Sequence, residues 1–213
     1  IGVGAGLSYD VSGPTHHSVE DISIMRTLPN ITIFSPSDWV LAEQFVDFTI
    51  NTKTPKYIRF DGKPQFNIHD PEKVIDMGKG FIELERGKEV CIVSTGYMTH
   101  AALRAVETLS KEGIKAGLID VFLIKPLPEN EFYDAIKNYK HVITIEEGFI
   151  NKAGLDSLVA NIVSSNGPDI TMHRIGFGDA YIFDIGSRDY LHGLNGMDQK
   201  GIVKTIINLL RKA

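Results

Sequence analysis

Cysteine is nearly absent from this sequence: Cys91 is the single one, so no disulfide can form within the chain. Cys91 lies in the apolar run Val90 to Val93, which points to a small buried thiol and a reduced, cytoplasmic setting. No apolar stretch reaches the roughly 20 residues that a membrane-spanning helix needs, and no signal peptide is visible, so no membrane partner is expected. Positive charge is not in excess either. The chain has 22 Lys and Arg against 27 Asp and Glu, a net charge of -5, with the basic residues scattered. That gives no general attraction to a phosphate backbone and argues against nucleic acid as a partner. Metal-ligand spacing is lacking as well. His16, His17 and Asp21 are close in sequence, but adjacent imidazoles seldom converge on one ion and no thiol or third imidazole stands near. What remains is an ordinary globular composition, 43% hydrophobic and 23% charged over 213 residues, enough for one large domain or two of about 100 residues each.

The stretch richest in chemistry is Gly13-Pro14-Thr15-His16-His17-Ser18-Val19-Glu20-Asp21, where a Gly-Pro turn delivers two histidines to the start of a helix. Amide donors and partial positive charge at such a place favour anionic ligands. Ser18 and Asp21 can also be read simply as a helix start, with the histidines solvated. Earlier in the chain, Ile1 to Gly6 resembles a strand running into a glycine-rich loop. It is not a dinucleotide fingerprint, because the third glycine of that motif falls on Leu7 and no helix follows directly.

Taken in order, Val19 to Leu28 has helical apolar spacing and is stopped by Pro29, Ile31 to Phe34 is a short strand, and Ser37 or Asp38 caps a helix from Trp39 to Ile50. Lys56 to Phe60 is a strand ending in Asp61-Gly62. This rhythm predicts a parallel sheet with crossover helices over residues 1–70. Residues 71–87 read as a linker with one short strand, Phe81 to Leu84, inside a Gly- and Pro-rich stretch that starts at Gly62. Over 88–213, strands at Glu89 to Ser94, Lys115 to Val121, His141 to Ile145 and Ile170 to Ile175 alternate with four helices, which predicts an α/β, doubly wound sheet. Arg59 sits at a strand's carboxyl end, where ligands collect, and can grip a phosphate or pair with a neighbour such as Asp61. Glu146 and Glu147 are adjacent in or beside a strand, so they point to opposite faces and cannot flank one substrate as an acid–base pair. Ser94-Thr95-Gly96, before a helix, could cradle an anion.

The series Gly13-Pro14-Thr15-His16, Arg26 to Asn30 and Pro36 to Asp38 resembles the transketolase and 1-deoxyxylulose-5-phosphate synthase group of thiamine diphosphate enzymes. The second half resembles the transketolase carboxy-terminal domain at Ser94-Thr95-Gly96, Ile124 to Pro128, Glu146-Glu147-Gly148, and Gly186-Ser187-Arg188 with Gly193 to Ile202. The resemblance implies a partial pyrimidine-binding domain in residues 1–70, followed by a transketolase carboxy-terminal domain in 88–213. It also implies site roles: His16 catalytic and substrate-binding, His17 substrate-binding, and Arg59 on the sugar phosphate. Where the family has an acidic residue just before Gly-Pro-Thr-His, this chain has Ser12, with Asp10 two positions earlier as the candidate substrate-hydroxyl contact.

In the family, diphosphate and Mg²⁺ are held by a Gly-Asp-Gly motif in a separate domain, and a glutamate earlier in the pyrimidine-binding domain activates the cofactor. Neither stands in this sequence, so no cofactor-binding residue and no metal ligand is assigned here. The implied activity is transfer of a two-carbon ketol unit between phosphosugars. The alternatives are a 1-deoxyxylulose-5-phosphate synthase-like enzyme, the β component of a 2-oxoacid dehydrogenase, or a non-catalytic α/β assembly module. The expected partners are a phosphosugar and a missing amino-terminal segment or partner chain, in a homodimer or hetero-oligomer.

Overall fold

The computed structural model describes residues 1–167 and 169–211; of the expected second domain, Pro168, Lys212 and Ala213 lie outside the described residues. The first half runs β1 (Gly2–Val3), α1 (Asp21–Thr27), β2 (Thr32–Phe34), α2 (Trp39–Asn51) and β3 (Lys56–Phe60). Pro29 disfavours helical backbone at the residue before it, and Leu28 is extended at φ -73° and ψ 132°, so α1 stops there. Asp38, not Ser37, caps α2 by accepting the Leu41 amide at 3.1 Å. β1 and β2 each pair with β3 in parallel, as the crossover rhythm predicts.

The second half runs β4 (Phe81–Glu85), β5 (Val90–Ser94), α3 (Met98–Lys111), β6 (Gly117–Val121), β7 (Leu123–Lys125), α4 (Glu129–Ile136), β8 (His141–Phe149), α5 (Leu155–Asn166), β9 (Thr171–Phe177), α6 (Arg188–Leu194) and α7 (Gln199–Leu210). Its sheet has the order β4-β6-β5-β8-β9, with β4 antiparallel and the other neighbours parallel. One apolar core joins this sheet to α3 and α7, and a second joins its other face to α4 and α5, which is the doubly wound arrangement. The strand expected inside the linker is β4, and it is the edge of this second sheet.

The two halves are interleaved more closely than the sequence suggests. β7 leaves the second half to pair antiparallel with β2, so the first sheet reads β1-β3-β2-β7. Leu7 and Val19 are buried in the core of the second sheet, and Ile22 of α1 is buried in the core on its other face. Full burial of a side chain such as Leu7 contributes about 1.5–3 kcal/mol.

A polar network crosses the same seam. Asp38 accepts the amides of Ile68 and His69, both at 2.8 Å, and the His69 ring lies 3.1 Å from it through Nδ1. Asp120, on β6 and fully buried, accepts Ser37 Oγ at 2.5 Å and Thr99 Oγ1 at 2.8 Å, with His69 Nε2 3.7 Å away. Burial pushes Asp120 up to about 6, against the pull of His69 and the two hydroxyls. Burial acts the same way on Asp38, but the His69 ring and the amides outweigh it and hold Asp38 at about 2. Burial depresses His69, and the two carboxylates more than reverse this, so its pKa is raised.

These shifts set a sign. Raised pKa values at Asp120 and His69 mean that the fold binds those protons more tightly than the unfolded chain, so stability is lost as pH rises through the folded values. The depressed Asp38 acts at the other end, losing its contribution as pH falls toward about 2. The stability contributed by Asp120 should therefore be lost as pH rises through about 6, and Asp120→Asn, which cannot ionise, should flatten the fall of the thermal midpoint around that pH in a calorimetric series.

Candidate functional site

The histidine pair sits on a loop that leaves β1 at Gly4 and returns to the fold at Ser18. Two hydrogen bonds close its neck, Gly6 N to Ser18 O at 3.0 Å and Ser18 N to Gly6 O at 2.9 Å. Gly6 has φ +57°, and a Cβ there would collide with the Glu147 carboxylate, so the neck accepts glycine for two reasons at once. Gly13, at φ +76°, turns the chain into Pro14, and the His16 amide closes that turn on Gly13 O at 3.0 Å.

His16 is exposed, and its Nδ1 lies 3.0 Å from Thr15 Oγ1; its Nε2 has no partner among the described residues. His17 is half-buried, with Nε2 on the Asp10 carbonyl at 3.0 Å. Asp10 lies in a single 3₁₀ turn, Asp10–Ser12. Its carboxylate meets Lys63 Nζ at 2.5 Å and accepts the Arg188 amide at 3.1 Å. Burial would raise the Asp10 pKa, but Lys63 and the two backbone amides of Val11 and Arg188 outweigh it and lower the pKa. The structure thus brings Asp10, His16 and His17 onto one short loop.

Arg59 lies near the carboxyl end of β3. It is only 4% exposed, its Nε donates to Asp21 at 2.6 Å, and its Nη2 reaches the carbonyls of Ser18 at 3.2 Å and Glu147 at 3.4 Å. Asp21 also accepts the Tyr57 hydroxyl at 2.8 Å. The guanidinium held in this way supports the return of the loop into α1, while its Nη1 has no hydrogen-bond partner among the described residues. Asp61, the alternative partner, pairs with Arg188 instead at 2.7 Å. The cation at this strand end that solvent reaches is Lys63, whose side chain is 46% exposed. Lys63 lines a crevice with Gln65, His100, Arg104 and Arg188, and Arg104 has no ion-pair partner among the described residues.

Glu146 and Glu147 do point to opposite sides, but both are buried and neither is solvated. Glu146 Oε1 accepts the Asp156 amide at 3.0 Å at the start of α5, and burial pushes Glu146 up to about 7. Glu147 faces Arg188, which grips it through two nitrogens, one at 2.8 Å, and accepts from His192 Nε2 at 2.7 Å. Burial would raise Glu147, yet Arg188 and His192 hold it well below the usual carboxylate range. Ser94 and Thr95 are buried and bonded within the fold, to Thr99 and to Ser35 O, and present no open anion cradle.

Comparison with known proteins places this geometry. The family described as "Transketolase, pyrimidine binding domain" matches residues 1–63, and "Transketolase, C-terminal domain" matches residues 78–202. The chain belongs to the transketolase family. An apulose-4-phosphate transketolase subunit of Actinobacillus succinogenes is 34% identical, over 98% of this chain and 67% of that protein. A putative transketolase C-terminal section from Methanocaldococcus jannaschii is 32% identical, over 98% of this chain and 65% of that protein. The 1-deoxy-D-xylulose-5-phosphate synthase of Bacteroides fragilis is 34% identical over 91% of this chain, but only 30% of the synthase is covered. A solved structure described as a split gene transketolase, inactive beta4 tetramer, superposes with a TM-score of 0.85 at 29% identity, covering 97% of this chain and 64% of that one. The chain thus spans about two thirds of these transketolase relatives and under a third of the synthase.

Transketolases depend on thiamine diphosphate; among the described residues, no group of three or more His, Cys, Asp or Glu side chains is placed to hold a metal ion. Among the described residues, too, no helix is long and apolar enough to cross a membrane. What this transketolase chain carries is a histidine loop braced by buried ions. Arg59→Ala should leave Asp21 as a nearly buried, unpaired charge and cost about 3–5 kcal/mol in denaturant unfolding. Lys63→Ala, at a half-exposed pair, should cost less than about 1 kcal/mol.

Proposed function

We propose that this chain supplies the substrate-facing histidine loop of a transketolase that moves a two-carbon ketol unit between phosphosugars. The observation that carries the reading is His16: exposed, fixed through Nδ1 by Thr15, and leaving Nε2 for a ligand. An imidazole so held can orient a substrate hydroxyl and take or return its proton at Nε2. His17 and Asp10 stand behind it, Asp10 as the candidate hydroxyl contact. Arg59 stays the candidate for the sugar phosphate through its unpartnered Nη1, and Lys63, half-exposed just beyond β3, is a second cation for the same anion.

The cofactor's diphosphate and Mg²⁺ belong, on this reading, to a segment or partner chain beyond these residues. Two features support such a partner. The Actinobacillus and Methanocaldococcus relatives, matched over about two thirds of their length, are described as a transketolase subunit and as a C-terminal section. The solved structure of similar fold, matched over 64% of its length, is described as a split gene transketolase. A homodimer or hetero-oligomer in the cytoplasm follows, the reduced setting being supported by the free, buried Cys91. The synthase-like alternative draws on the Bacteroides relative and on Gly186-Ser187-Arg188.

Given thiamine diphosphate and Mg²⁺, this chain alone should show no turnover; turnover by the isolated chain would contradict the division of labour. Assembled with its partner, the wild type should consume a ketose phosphate with an aldose phosphate acceptor, and consumption of pyruvate instead would select the synthase reading. No turnover from any assembly would leave only a non-catalytic module. In the active assembly His16→Ala should lower kcat by about 10²-fold. Lys63→Ala should raise KM for phosphorylated donors about tenfold while sparing non-phosphorylated ones, a lost charge-assisted contact being worth roughly 1.5–3 kcal/mol.

A further inference from the structure

The residue most heavily invested in without a part in the chemistry above is Arg188, at the first position of α6. It is 4% exposed, lies with its guanidinium carbon 3.5 Å above the Tyr97 ring, and is gripped by Glu147 and by Asp61 at 2.7 Å. Burying a cation among partners fixed in this way leaves it one geometry, because any rotation would strip a charge of its pair in a site with little water.

The histidine loop meets this ion pair at its neck and the backbone of residue 188 at its far end. At the neck, the Glu147 carboxylate fills the space under Gly6 where a side chain would stand. At the far end, the Arg188 amide donates to the Asp10 carboxylate at 3.1 Å. The same Asp10 carries the contacts onward, because its carbonyl holds His17 Nε2 at 3.0 Å and accepts the Gly13 amide at 3.3 Å just before the turn to His16. Within the loop the backbone bonds itself in short turns, Ser8 to Ala5, Ser12 to Tyr9, Gly13 to Asp10 and His16 to Gly13, and Ser8 Oγ accepts the Gly62 amide. Of its side chains Leu7 is anchored in the second sheet's core, while Tyr9, Val11, Thr15 and His16 are exposed.

We propose that Arg188 is a positioning residue: from the carboxy-terminal half it fixes the loop between Gly6 and Ser18, and so sets where His16 and His17 stand toward the substrate. This rests on the reading of His16 given above, but its first test does not. In the chain as it exists, hydrogen exchange of residues 7–17 should quicken by about tenfold or more in Arg188→Gln and in Asp10→Asn. In Asp10→Asn, which leaves the Arg188–Glu147 pair intact, strands β5 and β8 should keep wild-type protection.

If Arg188→Gln loosens those strands too, Asp10→Asn decides: a rise confined to the loop supports the clamp, and an unchanged loop overturns it. The second test uses the assembled enzyme. Arg188→Gln should lower kcat by about tenfold or more with a smaller change in KM, and Arg188→Lys, which keeps the charge but not the fork, should recover part of it. A loosened loop with wild-type kcat, or a kcat loss that Arg188→Lys shares in full, would overturn the positioning role. If the wild-type assembly transfers no ketol unit, the functional reading fails while the exchange result still judges the clamp.

Discussion

Glu147 is a carboxylate buried at 3% exposure between two halves of one chain, and it stays ionised because Arg188 and His192 both meet it. An ion in that position is costly to desolvate and worth keeping only when its partners are fixed, so it acts as a geometric constraint more than as a source of stability. The constraint reaches both sheets. Arg188 binds Asp61, just beyond β3, and the Glu147 carbonyl accepts from Arg59 within β3. The carboxy-terminal half therefore fixes the position of the strand end and the loop beside it.

Helix α1, which follows the histidines, is held by the same logic of charge. Asp21 in its first turn meets Arg59, while Arg26 in its last turn donates to the carbonyls of Ala153 and Gly154 at the start of α5. Lys125 Nζ, on β7, donates to the carbonyls of Arg26 at 3.0 Å and Leu28 at 2.6 Å. A cation at the carboxyl end of a helix satisfies orphan carbonyls and complements the helix dipole. The insertion of β7 into the first sheet thus does two things: it extends that sheet and carries Lys125 to the end of α1.

Much of this fold was legible in the sequence, and the illegible parts share a cause. The alternation of strand and helix from Val19 to Phe60 and from Val90 to Leu210 follows from apolar periodicity and from Pro29 and Asp38, all of which act over a few residues. β7 escaped because Leu123 to Lys125 is too short to show a period, and α6 because only Leu191 among its apolar residues is buried. The histidine loop was readable from Gly13-Pro14 and the pair that follows. The partner of Arg59 was not, since sequence proximity offered Asp61 while the fold supplied Asp21, and Asp61 went to Arg188, 127 residues away. The place of Lys63 at the crevice was hidden for a related reason, since nothing local distinguishes it from other lysines.

The placement of these charges bears on how the site is built. Arginine at a strand end is the natural candidate for an anion, and a guanidinium offers five donors, each of which needs a partner in the interior. Arg59 gives Nε to Asp21 and Nη2 to two carbonyls, with Nη1 left over, and Arg188 is held by the Glu147 and Asp61 carboxylates. Lys63 and Arg104 retain access to solvent at the same crevice. The division follows from burial: cations in the seam define the shape of the loop, and cations at its mouth are the ones with freedom to exchange a water or a weak surface partner for a ligand. On the proposed reading, such a site separates rigidity from recognition: Arg188 fixes the loop that carries His16, and cations at the crevice mouth meet the anion that His16 cannot hold.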